Sequence, residues 1–446
     1  MTQTAASPSP ASAVRGRVLL AADAGFAEAA RPWNRHIEQS VAAVVEVADA
    51  DDIAGLVRYA GTHGWVVTVQ PSGHGATGDT GAEDAPVVLV RTGRLNRIIV
   101  DQVARTARVG AGVTWGQLQV AAAPSGLTGL PGSSPVVSVV GFILGGGLSW
   151  FSRRHGWGAD SVLAFEIVDA AGRRRRIGRS SDGSDAELFW ALLGGGGDVA
   201  VVTEVEVELH PAPAVYGGRM VWPATHADEV LSRFREVTAS APESLTVWTD
   251  LLRFPGADPL VAIDTTYLGD SVAARALLAP FDRVSGRLSD SRAVLRADEL
   301  GAITAEPTAP SAGLSCATLL TGFDEHTAKA LIAAPTERQL SVQVRHLGGA
   351  LAGPTATASG PLVEPYLLYL FGLPGTPEAT TAVEAGQEDT LAAVAGWRGS
   401  RVPFTFLAPG QRASDAFPPE TITRLREIKR RHDPAGTFRA NFPLEG

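Results

Sequence analysis

His74 is the residue with the most reactive surroundings in this sequence. It lies in residues 70–78, QPSGHGATG, directly after the apolar run Val66, Val67 and Val69. An imidazole with an ordinary pKa of about 6.5 is largely neutral at neutral pH and can act as a nucleophile. The glycines around it let backbone N–H groups form a nest for an anion, because no Cβ blocks its approach. Taken alone, the segment also fits an ordinary turn that carries a polar histidine.

Two further glycine clusters follow in the first half of the chain. Residues 129–160 read GLPGSSPVVSVVGFILGGGLSWFSRRHGWGAD, and residues 192–211 read LLGGGGDVAVVTEVEVELHP. Backbone of this kind can wrap a long, flat ligand at close range. A buried packed segment for the first cluster, or a tight turn for the second, is the alternative when each is taken separately.

Taken in order, the three clusters resemble the FAD-linked oxidases with a PCMH-type FAD-binding domain, the berberine bridge enzyme-like group. The family pattern R-S-G-G-H corresponds to residues 70–74, and G-x-C-P-x-V-G-V-G-G…G-G-G corresponds to residues 132–147. G-G-G-x-F-G-V-V-T corresponds to residues 195–203, and D-P-x-x-x-F-R-x-N to residues 433–441. The run VRHLGGA at residues 344–350 also looks like bacterial members. The resemblance covers the chain from about Val14 onwards.

The resemblance implies an FAD cofactor attached covalently to His74 and held largely by backbone. Such binding suits an acidic chain with only two lysines, Lys329 and Lys429. The expected cofactor contacts are Ser72, Gly73, His74, Gly75, Ala76, Gly78, Gly132, Ser133, Ser134, Gly141, Gly145, Gly146, His155, Gly156, Val201, Val202 and Asn441.

The sequence departs from the family pattern in several places. Ser134 stands where many members have a second flavin-linking cysteine, and a hydroxyl is a far weaker nucleophile than a thiolate. We therefore expect one covalent bond and not two. Gln70 replaces the arginine of the first motif, and Val199-Ala200 replace a Phe-Gly pair. The Tyr-x-Asn of many members is not evident at residues 402–407, VPFTFL, so no tyrosine base is inherited from the motif.

A catalytic base must then come from the second half of the chain. His346, Tyr369 and Asp250 lie on predicted strands and are the candidates. His346 shares its predicted strand face with Val342 and Val344, which fits either a pocket residue or a satisfied core histidine. Trp248 and Phe404 fit pocket walls or ordinary core aromatics equally well.

Hydrophobic periodicity predicts an α+β protein. Helical spacing occurs at residues 49–63, 114–123, 227–238, 272–279, 380–397 and 419–432, and β-rich runs occur at residues 65–70, 87–89, 97–101, 106–109, 162–169, 174–177, 201–209, 217–222, 245–252, 260–267, 341–347 and 366–373. With the resemblance, this implies a PCMH-type FAD-binding domain of two α/β subdomains. A substrate domain follows, with an antiparallel sheet backed by helices.

The expected domain boundaries follow from punctuation and composition. Residues 1–13, rich in Ser, Ala and Pro, are predicted to be a disordered leader. Residues 14–213 form the FAD-binding domain and end at two prolines, and residues 214–410 form the substrate-binding domain. Residues 411–446 are expected to return to the FAD-binding domain.

Composition narrows the class of partner. Lys plus Arg total 38 against 47 for Asp plus Glu, a net charge of −9, which disfavours nucleic acid. A single cysteine, Cys316, excludes a disulfide framework, and the histidine spacing shows no metal motif. The chain has no P-loop, no G-x-S-x-G elbow, and no clean apolar run long enough to span a membrane. We expect a cytoplasmic bacterial protein, monomeric or homodimeric.

The leading functional hypothesis is an FAD-dependent oxidase that takes hydride from a C–H bond next to O or N of a small organic molecule. Molecular oxygen would reoxidise the flavin to give hydrogen peroxide, and secondary metabolism is the expected setting. The alternatives are flavin-dependent oxygenation or oxidative cyclisation of a natural-product intermediate, and a flavin-binding module without catalysis.

Overall fold

Short valine-rich strands build the first sheet. The structure, a computed structural model, describes residues 9–81, 83–334 and 338–444. Strands β2 and β3 both pair with β4 in parallel, and β1 pairs antiparallel with β2. The elements are β1 (Arg17–Leu20), α1 (Phe26–Ala30), β2 (Ala43–Glu46), α2 (Ala50–His63), β3 (Val66–Val69) and β4 (Val87–Arg91). The Asp49 carboxylate accepts hydrogen bonds from the first N–H groups of α2, which explains why the predicted helix begins there.

A second, antiparallel sheet follows with the strand order β5-β6-β10-β8-β9. Thr114 and Gln117 form a reciprocal capping box at the start of α3, where the sequence predicts a helix. The elements are β5 (Ile98–Asp101), β6 (Thr106–Gly110), α3 (Trp115–Ala122), β7 (Leu127–Thr128), α4 (Val139–Leu144), α5 (Ser152–His155), β8 (Val162–Val168), β9 (Arg174–Gly178), α6 (Gly183–Leu192), β10 (Val201–Glu208) and β11 (His210–Pro211).

The second half of the chain forms a large antiparallel sheet in the order β15-β12-β14-β13-β18-β19-β17, and β16 also pairs with β12. One face packs against α7, α8 and α9 in a core that includes Phe234, Phe281 and Leu331. The elements are β12 (Val215–Pro223), α7 (Ala227–Thr238), β13 (Leu245–Leu252), β14 (Leu260–Tyr267), α8 (Ser271–Asp282), β15 (Ser289–Asp290), β16 (Ala293–Leu295), β17 (Leu314–Leu320), α9 (Glu325–Ala333), β18 (Ser341–His346), β19 (Tyr366–Gly372), α10 (Pro377–Ala393) and α11 (Pro419–His432).

The predicted α+β class, with an antiparallel sheet backed by helices, is confirmed. The sequence patterns missed helix α9 and several strands, among them β1, β2 and β17. The predicted disordered leader is wrong for Pro10–Ala13, which form a 3-10 helix with Pro10 buried and packed against α2. Residues 1–8 of that leader lie outside the described residues. The helices of the described chain include none that is long and apolar enough to cross a membrane.

The C-terminal tail lies beside β3 after α11 ends. The Val67 N–H donates to the Thr437 carbonyl at 2.7 Å, and the Arg439 N–H donates to the Val67 carbonyl at 3.0 Å. The tail therefore extends the first sheet next to the segment that carries His74.

A buried ammonium group fixes this tail. The Lys429 Nζ donates to the carbonyls of Asp198 and Phe438, both at 2.7 Å, and to Asp433 Oδ2 at 2.8 Å. The Asp198 carboxylate accepts the N–H groups of Ala440 and Leu444, so it serves the tail and not a ligand. Lys429 thereby joins the third glycine cluster to the C-terminus.

We expect Lys429→Met to lower the free energy of unfolding by about 3–5 kcal/mol, because it leaves buried carboxylates without their cation. Urea denaturation followed by circular dichroism measures this. Lys329→Met is the matched control, since Lys329 pairs with Glu325 on the surface and its removal should leave the transition unchanged. Equal effects of the two substitutions would contradict the assignment.

Candidate functional site

The loop after β3 presents His74 as a neutral, half-buried imidazole. Gly73 has a φ of +83°, and a Cβ there would lie 2.8 Å from the Pro32 Cβ, so glycine is required. The Ser72 Oγ lies 2.7 Å from the His74 Nδ1, and the Trp33 ring stacks on the imidazole at 4.3 Å. Burial lowers the His74 pKa to about 4. The Nε2 atom is buried and has no hydrogen-bond partner among the described residues.

The C-terminal tail closes one side of this loop through Asn441. The Gln70 Nε2 donates to Asn441 Oδ1 at 3.1 Å, and the Thr77 Oγ1 donates to the Asn441 carbonyl at 3.0 Å. The Asn441 Nδ2 lies 3.5 Å from where a Cβ of the exposed Gly75 would be. Gln70, which replaces the arginine of the family motif, thus holds the tail in place. Gly78 also has positive φ, and its close neighbour is the Glu38 carbonyl, so its role is a turn.

The second glycine cluster divides into an accessible part and a packed part. Gly132, Ser133 and Ser134 are half-buried and Gly141 is exposed, whereas residues 145–147 are buried. Ala76, in the first cluster, is buried as well. The accessible part of this cluster is therefore residues 132–137, together with residues 141 and 142 in the first turns of α4, whereas residues 138–140 between them are buried.

The triple glycine and the third cluster pack against each other. Gly146 and Gly194 both have positive φ, and a Cβ on either would collide with the Ser359 hydroxyl. A Cβ on Gly196 would meet the Phe404 ring at 2.6 Å, and the Gly196 N–H donates to the Leu144 carbonyl at 2.8 Å. In the structure, the predicted contacts Gly145 and Gly146 serve close packing between segments of the chain.

Four other predicted cofactor contacts are engaged within the FAD-binding half. Val201 and Val202 pair with β8 through their backbone, and their side chains fill two hydrophobic cores. The His155 ring stacks on His210 at 3.9 Å, and burial, with help from His210 and Arg154, lowers its pKa to about 4. Gly156, at a φ of +79°, makes room for Asp160. A structural role explains each of these residues.

The sheet face opposite the helices carries a continuous polar array across four strands. We define the array as Arg219, Asp264, Asp250, Ser341, Gln343 and Arg345. Arg219 makes a bidentate pair with Asp264, at 2.6 and 2.7 Å, and approaches Asp250 at 3.9 Å. Gln343 joins Asp250, at 3.4 Å, to Arg345, at 2.6 Å. Such a buried network has little freedom to rearrange because each member depends on its neighbours.

Within this array, the Asp250 carboxyl has a pKa close to neutral pH. Burial raises its pKa, while the Ser341 hydroxyl at 2.7 Å and the Arg219 charge oppose the rise, and the result is about 7. A carboxyl with such a pKa exchanges a proton readily near neutral pH. Burial also raises the pKa of Tyr369, which lies on the same sheet face two strands away.

Aromatic rings wall the array. The Trp150 and Trp248 rings stack at 3.6 Å, and the Arg345 guanidinium lies 4.1 Å from the centre of the Trp248 ring. Phe406 lies 5.1 Å from Arg345 and 5.6 Å from Tyr369. Trp248, predicted as a pocket wall, is in this wall, whereas Phe404 packs against Phe417 and Phe442.

His346 does not share this face. It lies on the helix-backed side with Val342 and Val344, its Nε2 is 3.0 Å from Arg153, and its ring is 5.5 Å from Tyr366. Because alternate strand residues point to opposite faces, His346 and Arg345 cannot both face the array. The structure thus places two predicted catalytic residues together, Asp250 and Tyr369, and separates the third.

A direct link joins the His74 loop to the edge of this face. Asn34, next to the Trp33 that stacks on His74, exchanges two hydrogen bonds with the backbone of Gly313, at 2.9 and 3.1 Å. Gly313 packs against the Phe371 ring, and Phe371 shares its strand face with Tyr369. The segment that stacks on the imidazole is therefore joined to the edge of the sheet that carries the polar array.

The residues present fit an FAD molecule at this border. The unpartnered His74 Nε2 offers a nucleophilic nitrogen, and the half-buried or exposed residues within 72–78 and 132–137 offer small side chains and backbone that a ligand can approach. No three His, Cys, Asp or Glu side chains of the described residues cluster closely enough to hold a metal ion.

Comparison with known proteins agrees with this geometry. Residues 41–178 match the family model described as an FAD binding domain. The chain is 28% identical to the (R)-6-hydroxynicotine oxidase of Paenarthrobacter nicotinovorans over 97% of both chains. The fold matches the 6-hydroxy-D-nicotine oxidase structure from Arthrobacter nicotinovorans (TM-score 0.83, 24% identity, 97% and 98% of the two chains). It also matches berberine bridge enzyme from Eschscholzia californica (TM-score 0.82, 17% identity, 97% of both).

These findings confirm the predicted class. The chain is an FAD-dependent oxidoreductase whose residues 41–178 match an FAD binding domain, and its fold is similar to that of berberine bridge enzyme. Its cofactor is FAD.

Sequence reasoning missed the residues that complete the site. Trp33 and Asn34 lie outside every motif, and the array members Arg219, Asp264 and Gln343 are ordinary strand residues in the sequence. The alternation of Gln343 and Arg345 on a predicted strand was the available signal, since it placed both on one face.

We expect His74→Ala to abolish flavin fluorescence of the denatured protein band, because the imidazole to which we expect the flavin to be bonded is removed. In-gel fluorescence after denaturation measures this. His63→Ala, at the exposed end of α2, should retain the fluorescence of the unsubstituted protein. Acid-extractable flavin in the unsubstituted protein would show that His74 only neighbours the cofactor.

Proposed function

We propose that the chain is an oxidase of a small, largely aromatic molecule, with Asp250 as the proton acceptor. The observation that carries this proposal is Asp250 itself, a buried carboxyl with a pKa of about 7 in the sheet whose edge is joined through Gly313 to Asn34, next to the Trp33 that stacks on His74. Bound FAD would supply the redox chemistry: it accepts a hydride from a C–H bond next to O or N of the substrate, and O2 reoxidises it and is itself reduced to hydrogen peroxide.

The protein's own residues supply binding, orientation and a base. We propose that loops 72–78 and 132–142 bind the cofactor, with Asn441 against the first of them and His74 as the one covalent attachment. Trp248, Phe406 and Tyr369 form the apolar wall of the substrate site. Asp250 then accepts the proton of the substrate O–H or N–H group as its neighbouring C–H bond is oxidised.

The neighbours of Asp250 orient its carboxylate for this role. Ser341 and Gln343 donate hydrogen bonds to its two oxygens and fix the orientation of the carboxylate. Tyr369 and Arg345 lie on the adjacent strands of the same face. Because the relative is named for 6-hydroxynicotine, that compound is the first to test, together with panels of amines, alcohols and phenols.

Anaerobic mixing with a substrate tests the proposed oxidase directly. Bleaching of the flavin absorbance, followed by one hydrogen peroxide per oxidised product in air, is the expected result. Incorporation of oxygen from O2 without matching peroxide would favour the oxygenation alternative. No bleaching by any member of the panel would favour a binding module without catalysis.

We expect Asp250→Asn to lower kcat by a factor on the order of 10²–10⁴, the usual contribution of a general base. Asp250 accepts a proton only when ionised, so the rate of the unsubstituted enzyme should rise with pH through its pKa of about 7 and then level off. The pH dependence of anaerobic flavin reduction measures this. The rise should be absent in Asp250→Asn. The control is Asp258→Asn, on the exposed turn after β13, which should change neither kcat nor the pH at which the rate rises.

Ser341→Ala separates a base from a merely structural carboxyl. The hydroxyl stabilises the ionised form of Asp250, so its loss should move the rise in rate to higher pH while the plateau rate changes less. An unshifted pH profile in Ser341→Ala would contradict the assignment of the profile to Asp250.

A further inference from the structure

Arg345 is a buried cation with unused hydrogen-bonding capacity. Its residue is only 6% exposed, and its Nε donates to Gln343 Oε1 at 2.6 Å. Within the described part of the chain, its two terminal nitrogens make no hydrogen bond, and no carboxylate lies within 4 Å of them. Buried arginines are normally paired because an isolated buried charge is costly. This guanidinium therefore has the features of a receptor for an anion.

The carboxylates near Arg345 are already committed elsewhere. Asp264 is held by the bidentate pair with Arg219, and Asp250 is held by Ser341 and Gln343. Glu306, on the loop before β17, attracts Arg345 more than any other carboxylate does. It nevertheless forms no ion pair with Arg345 in the described structure.

The surroundings of Arg345 suit one shape of partner. Trp248 covers one face of the guanidinium at 4.1 Å, and Phe406 and Tyr369 lie at 5.1 and 5.6 Å. A planar guanidinium that stacks on an aromatic ring keeps its donor fork in the plane, where it matches the two oxygens of a carboxylate. The aromatic walls favour an aryl group next to that carboxylate.

We propose that Arg345 binds the carboxylate of the substrate, so that the enzyme acts on a small arylalkyl carboxylic acid. Gln343 bridges Arg345 and Asp250. The carboxylate of the substrate then lies beside Arg345, and the O–H or N–H group that loses a proton lies beside Asp250. This assignment rests on the proposed function, because it places the substrate on the same sheet face. Arg345 is a specificity-determining residue of that site.

Isothermal titration calorimetry on the FAD-loaded protein tests the assignment without turnover. The probes are benzoate, benzamide and benzylamine, which share a ring and differ in charge. Benzoate should bind more tightly than benzamide by roughly tenfold to a hundredfold, the range of charge-assisted hydrogen bonds. Benzylamine should bind more weakly than either. Equal affinity for benzoate and benzamide, or tightest binding of benzylamine, would overturn the proposal.

Substitutions assign the preference to the side chain. Arg345→Met should remove the discrimination between benzoate and benzamide, and Arg345→Lys, which keeps the charge but not the fork, should retain part of it. Arg275→Met is the control. Arg275 also lies over an aromatic ring, that of Tyr216, but it is exposed on the surface of α8. Glu306→Gln should tighten benzoate binding because it removes a competing carboxylate.

The outcomes distinguish this proposal from the function on which it rests. If neutral substrates reduce the flavin and benzoate shows no preference, the oxidase stands and the role of Arg345 falls. If Arg345→Met keeps the benzoate preference but loses FAD or alters its absorption spectrum, Arg345 serves the cofactor and the proposal is wrong. If Arg345→Met does not fold, Arg345→Lys carries the test. Benzoate selectivity without flavin reduction by any substrate would contradict the oxidase alone.

Discussion

The buried ammonium of Lys429 is the interaction on which the arrangement of the site depends. It binds the backbone of Asp198, at the end of the third glycine cluster, and the backbone of Phe438 in the C-terminal tail. The tail then runs beside β3 and places Asn441 against the His74 loop. One cation in the interior therefore joins the third glycine cluster to the C-terminal tail, and the tail in turn contacts the loop that carries His74 through Asn441.

The glycine clusters divide their work between packing and ligand access. Glycine at 146 and 194 lets two chain segments approach more closely than any side chain would allow. Loops 72–78 and 132–142 keep backbone accessible instead. An acidic chain can hold a dinucleotide in this way, because oriented N–H groups bind phosphate without bringing side-chain charge.

The sequence motifs were sufficient for the cofactor and the fold class, and periodicity located most elements. The helices predicted over residues 49–63 and 114–123 begin at Asp49 and Thr114 in the structure, because each of these residues caps its helix through a local interaction. The prediction of a disordered leader was wrong for Pro10–Ala13, because these residues are ordered by packing against α2, a tertiary contact that local composition does not display. His346 was grouped correctly with Val342 and Val344, but which face of the sheet the helices cover depends on the whole topology. The linkage of Asp250 to Arg345 through Gln343 depends on strand register, which no motif encodes.

We propose that residues 72–78 and 132–142 bind the cofactor, whereas the buried glycines at 145–147 and 194–197 allow close packing between segments of the chain. Hydrogen–deuterium exchange tests it most directly, on protein expressed under riboflavin limitation and measured before and after FAD is added. Slower exchange in residues 72–78 and 132–142, with residues 145–147 and 194–197 unchanged, is the predicted result. Protection of residues 145–147 and 194–197, with the two loops unchanged, would contradict the account.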